Sequence, residues 1–121
     1  MNLPSEIHAG LESLVEELGK TTVNRALQMF LRDFPVQIQE LRRAADGNDH
    51  AEFKRMAHNL KGRCGMLALK TLRERTYAVE LSHQGPTAGQ RQALISAMEA
   101  HYQELSTGLA AYQTELATRP A

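Results

Sequence analysis

Apolar residues recur at three- and four-residue spacing along most of the chain, and no stretch alternates apolar with polar in the manner of a strand. From 23 to 45 the series is Val23, Leu27, Phe30, Leu31, Phe34, Ile38, Leu41 and Ala45. From 94 to 116 it is Leu94, Met98, Tyr102, Leu105, Leu109, Tyr112 and Leu116, one face held over many turns. Start and stop signals divide the pattern into five helices. The first spans about Ser5 to Leu18 and stops at Gly19. The second starts at Thr21 or Thr22 and ends before Gly47; Pro35 lies inside it, where a kink or a junction between two shorter helices is expected. The third follows Asp49, where Asp49-His50-Ala51-Glu52 resembles a capping box, and runs to about Ala68. The fourth starts near Thr71, with a second box in Thr71-Leu72-Arg73-Glu74, and stops before Gly85-Pro86. The fifth begins at Thr87, where Thr87-Ala88-Gly89-Gln90 is a third box. Long helices on short turns pack antiparallel. The expected fold is all-α: an up-down four-helix bundle with a short extra N-terminal helix over one end, in a single domain covering 1–121.

Composition narrows the function. Lys plus Arg number 14 and Asp plus Glu 14, a net charge of +0, so no global field draws the chain to nucleic acid or an anionic membrane. Aromatics are 5% with no Trp, which leaves the core to Leu, Ala, Met, Val and Ile. The single cysteine, Cys64, excludes an internal disulfide and a cysteine-cluster zinc site, and it falls on an apolar helix face as a core residue. Apolar runs stay far below the roughly 20 residues that span a bilayer. Met1-Asn2-Leu3-Pro4-Ser5-Glu6 lacks the regions of a signal peptide, so a cytoplasmic setting is expected.

The third helix carries the candidate chemistry. With Phe53 at zero on a wheel of about 100° per residue, Met56, Ala57, Leu60, Cys64 and Leu67 lie within about 60° of it. His58 lies about 140° away and points to solvent. Lys54, Arg55, Lys61, Gly62 and Gly65 share its face. A mid-helix glycine costs roughly 1 kcal/mol against alanine, and here two of them follow the histidine by four and seven residues. They clear the space above the imidazole, and cations ring that space. A neutral imidazole is a nucleophile near physiological pH, attack on phosphorus needs in-line access, and Lys61 can reach phosphoryl oxygens as a point charge. His8, His50, His83 and His101 are scattered and carry no assigned role.

Ala57-His58-Asn59-Leu60-Lys61-Gly62 resembles the Ala-His-x-Leu-Lys-Gly signature of histidine phosphotransfer (HPt) domains. The resemblance extends through Phe30-Leu31-Arg32-Asp33 and 41–49 and fits the whole length and helix order. It implies that His58 is phosphorylated on its distal ring nitrogen, that Lys61 contacts the phosphate, and that Gly62 and Gly65 admit a receiver domain. It also implies that Glu80, on the fourth helix, accepts a hydrogen bond from the proximal nitrogen of His58. Lys54 and Arg55 would aid docking. On this reading the chain is a phosphorelay carrier, not an enzyme. It exchanges a phosphoryl group with aspartates of response-regulator receivers, such as that of a hybrid sensor kinase. It would work as a monomer without a cofactor, Mg²⁺ being supplied by the receiver, and without an ATP site, since no phosphate-binding glycine loop is present.

Three residues depart from the family pattern: Arg63 where Ser or Ala is usual, Ala68 for a frequent Gly, and Arg75 for an apolar residue. Three alternatives remain. One is a chemotaxis-type phosphotransfer domain phosphorylated by a kinase, and another a helical interaction domain without phosphate chemistry. The third, a di-iron bundle, needs Glu-x-x-His on two helices, which the sequence lacks.

Overall fold

Leucine-rich stripes at helical spacing can be buried only against one another, and the described residues do this with five helices. The computed structural model describes residues 3–83, 85 and 87–120; Met1, Asn2 and the expected breaker Pro86 lie outside the described residues. The helices are α1 (Ser5–Leu18), α2 (Lys20–Ala45), α3 (His50–Met66), α4 (Lys70–Leu81) and α5 (Ala88–Thr118). No strand occurs among the described residues. Each of α2 to α5 packs on the next, and α5 closes the ring on α2. Cross-contacts give the directions. On α2 and α5, Asn24 meets Gln113, Leu31 meets Tyr102 and Ala45 meets Arg91, so the two run antiparallel. On α3 and α4, His58 faces Glu80 and Cys64 faces Thr76, again antiparallel. The result is the expected four-helix bundle. α1 lies over the end where α2 begins and α5 finishes: its Glu12 accepts from Tyr112 at 2.5 Å and pairs with Arg119 at 3.0 Å.

The core follows the stripes. Val23, Leu27, Phe30, Phe34, Ile38, Leu41 and Ala45 of α2 are all buried, and so are Phe53, Ala57, Leu60 and Cys64 of α3. Phe34 and Tyr102 stack with ring centroids 4.9 Å apart, where α2 crosses α5. Two buried side chains of α5 had no place in its apolar pattern, Ile95 and Arg91. Arg91 caps α2: its Nη2 and Nε donate to the carbonyl of Ala45 at 2.8 and 3.1 Å. One of the carbonyls left over at a helix end is thereby satisfied.

Several boundaries differ from expectation for identifiable reasons. α2 runs unbroken through Pro35 rather than splitting into two helices. Proline removes the amide that would bond the carbonyl of Leu31, and the Tyr102 hydroxyl donates to that carbonyl instead, at 3.4 Å. α2 also begins at Lys20, directly after α1. Gly19 makes the turn alone at φ 89°, ψ 153°, a conformation essentially reserved for glycine. Of the three boxes, only Thr87–Gln90 is complete. Asp49 accepts from the Glu52 amide at 2.9 Å, but the Glu52 carboxylate turns to Arg55. Thr71 caps nothing. α4 starts at Lys70 with Leu69 as its N-terminal flank, because a tight C-terminal motif on α3 sends the chain straight into it.

In that motif the amides of Ala68 and Leu69 return to the carbonyls of Gly65 and Cys64, at 3.1 and 3.0 Å, and Ala68 sits at φ 59°. A left-handed alanine costs about 1–2 kcal/mol, and glycine's extra freedom in the unfolded chain offsets about 0.4–1 kcal/mol of the relief. Ala68→Gly should therefore raise stability by about 0.5–1 kcal/mol in urea titrations, with no change in the slope of the unfolding transition. A destabilised variant would show that the Ala68 methyl, which lies close to Gly10 of α1, matters more than the backbone relief.

Candidate functional site

The exposed face of α3 is built by what lies beneath it. Phe53, Ala57, Leu60 and Cys64 hold the helix in the bundle by one side, which turns His58 outward. Its side chain is 63% exposed. Its Nδ1 lies 3.3 Å from Oε2 of Glu80, which is buried on α4. Lys61, one turn along α3, brings Nζ to 3.0 Å from Oε1 of the same carboxylate. Its side chain is only 16% exposed. Sequence periodicity put Lys61 on the open face with His58; in the fold it leans toward α4 instead. One carboxylate thus joins the histidine and the lysine.

Burial disfavours a charged Glu80, but the Lys61 ammonium paired with it and the hydrogen bond from His58 outweigh that and hold the carboxyl below its ordinary range. An ionised carboxylate only accepts, so Nδ1 of His58 donates to it. In the neutral ring Nε2 then keeps its lone pair, on the edge away from Glu80.

A group ionised more readily in the fold than in the unfolded chain stabilises the fold above its unfolded value, near 4.5, and ceases to do so as pH falls through its lower folded value. Wild-type stability should therefore decline on acidification below about pH 4.5. Glu80→Gln, which does not titrate, should flatten that part of the curve. Urea titrations from pH 6 to about pH 3 measure it, and equal slopes for the two proteins would exclude a Glu80 contribution.

Beside the imidazole lies an open, largely apolar groove of ≈ 610 Å³ between α2 and α3. Ala26, Met29 and Phe30 line it from α2, and His58, Gly62 and Met66 from α3. Met29 and Met66 are exposed. Arg63 stands at the rim of the groove, 3.9 Å from Asp33.

The remaining predicted residues divide. A side chain at Gly62 would meet nothing within 4 Å, so the space above the histidine is open on that side. Gly65 lies farther along, under Arg73, in a separate cavity shared with α1 and α4. It is near the histidine face but not in the groove. Lys54 is exposed on the turn before His58, and Arg55 pairs with Glu52. Arg75 is exposed on α4, which explains why a charge is tolerated there.

Sequence reasoning missed Tyr77. Its ring lies under Lys61, with Nζ 4.6 Å from the centroid. The signal was available in paired spacing: Lys61 follows His58 by three, and Tyr77 precedes Glu80 by three. On antiparallel helices such pairs fall opposite one another. Cys64 is buried and its thiol is pushed up to about 12, chiefly by burial, so it takes no part. Among the described residues no group of three or more His, Cys, Asp or Glu is arranged to hold a metal ion, and no helix is long and apolar enough to cross a membrane.

The family model for the Hpt domain matches residues 25–115. That span covers α3 and α4 entire and nearly all of α2 and α5. Comparison with curated proteins and with solved structures returned no match.

Proposed function

The chain belongs to the Hpt domain family, the histidine phosphotransfer modules of two-component systems, and from that premise we propose that His58 carries the phosphoryl group between receiver aspartates. The observation that carries this is the exposed imidazole tied through Nδ1 to the Glu80 carboxylate, with an open apolar groove beside it. Nε2 attacks the phosphorus of an aspartyl phosphate in line. The N–P bond forms as the P–O bond to the aspartate breaks, and the carboxylate departs with the bonding pair. Nδ1 keeps its proton throughout, so positive charge develops on the ring, and Glu80 lies where it compensates that charge. Lys61 contacts the incoming phosphoryl oxygens as a second point charge.

On this reading a response-regulator receiver, including that of a hybrid sensor kinase, docks over the groove. It brings its own Mg²⁺ and aspartate. Apolar Met29 and Met66 supply contact area, while Arg63, Lys54 and Arg55 set charge preference. The chain itself neither binds ATP nor phosphorylates itself. It acts as a single domain over 1–121, as a monomer in the cytoplasm, without a cofactor of its own.

The test is incubation with a receiver domain phosphorylated in advance and carrying a radiolabel. Label should pass to the chain in acid-labile, base-stable form, and return to a fresh receiver. Label that is stable to acid, or that stays on every receiver tried, would reject the carrier role.

A further inference from the structure

We propose that Tyr77 is a positioning residue for Lys61: its ring holds the ammonium between α3 and α4, within reach of a phosphoryl group on His58. The proposal rests on the carrier reading and adds a residue to it.

Lysine is the wrong side chain to aim unaided. Its four-carbon stem has many rotamers, and its ammonium is well served by water. Yet the Lys61 side chain is 16% exposed and has two partners, the Glu80 carboxylate at 3.0 Å and the Tyr77 ring at 4.6 Å from the centroid. The four side chains interlock. His58 lies opposite Glu80, and Lys61 opposite Tyr77, with Glu80 also reaching across to Lys61.

The two partners of Lys61 differ in what they permit. A carboxylate binds the ammonium at one point and competes with any phosphate for it. A ring face attracts a cation over a broad area and offers no oxygen to compete. When a phosphoryl group arrives on Nε2, Lys61 can exchange Glu80 for phosphate oxygens while it stays against the ring. Release of Oε1 leaves the full carboxylate charge to the phosphorylated imidazole. Tyr77 is itself 45% exposed, so its packing role in the core is slight, and a substitution there should leave the bundle folded.

The experiment uses phosphoramidate, a small nitrogen-linked phosphodonor that needs no partner. Nε2 of His58 forms the N–P bond, the donor's N–P bond breaks, and ammonia leaves after protonation by water. Phosphohistidine is followed by phosphorus NMR. Tyr77→Leu should slow phosphorylation about two- to fivefold, while Tyr77→Phe, which keeps the ring, should restore the wild-type rate. In a Lys61→Met background Tyr77→Leu should have no further effect. The Lys61 ε-protons should be shifted upfield by the ring in the wild type and return to the ordinary lysine position in Tyr77→Leu.

Equal rates for wild type and Tyr77→Leu would overturn the proposal. So would a loss that persists in the Lys61→Met background, or one seen only with a receiver as donor, which would make Tyr77 a docking contact. A wild type that phosphoramidate does not label on His58 would instead bring down the carrier reading beneath it.

Discussion

His58→Gln is expected to abolish phosphoryl acceptance, by roughly a thousandfold or more, while leaving the melting temperature of the bundle within a few degrees of wild type. The two halves have separate causes. The amide nitrogen of glutamine has its lone pair delocalised into the carbonyl, so no nucleophile remains at the site. The fold loses little, because the imidazole is mostly in water and makes a single long hydrogen bond, 3.3 Å, to Glu80. Glutamine can donate to the same carboxylate. Transfer of label from a phosphorylated receiver measures the first half and thermal unfolding by circular dichroism the second. Among the described residues no other histidine reproduces the arrangement. His83 turns Nδ1 to a backbone carbonyl, 3.0 Å away at Glu80, and Nε2 of His101 is buried without a partner. Label retained by His58→Gln would mean that the phosphoryl group resides elsewhere and that the Glu80 pairing has been misread.

The site was legible in the sequence to the extent that it depends on helical periodicity. Three- and four-residue spacing put Phe53, Ala57, Leu60 and Cys64 on one side of α3, and His58 had to emerge on the other. Gly62 stood out because a glycine in mid-helix is costly unless something needs the room. What periodicity does not carry is contact between residues distant in sequence. Pro35 reads as a kink or a junction, and the Tyr102 hydroxyl that takes up the freed carbonyl of Leu31 arrives from α5, far along the chain. Nothing in the periodicity marks Arg91 as buried; the end of α2 beside it does. Thr71 has the form of a cap, but the alanine turn at 68 and buried Leu69 determine where α4 begins. Lys61 shows the same limit inside the site. Its helix angle points it outward, while Glu80 and Tyr77 of α4 draw it in.

Gly62 offers the second large effect, because stability and function should part there. A methyl group at this position meets nothing within 4 Å, and the residue is helical, so Gly62→Ala should stabilise the bundle by about 1 kcal/mol. Gly62→Arg keeps helix propensity but sends a long cation over the groove that His58 shares with Met29 and Met66. It should block transfer from a phosphorylated receiver at least a hundredfold, roughly the loss of a docking interaction of about 3 kcal/mol, with unfolding in urea no easier than wild type. Phosphorylation by phosphoramidate, which needs far less room, should fall much less. Gly65→Arg is the useful comparison. A side chain there starts 3.4 Å from Arg73, outside the groove, so its effect on transfer should be smaller and its cost in stability larger. If Gly62→Arg transferred phosphate at the wild-type rate, the receiver would have to approach His58 from the α4 side, over Tyr77, and the groove would not be the docking surface.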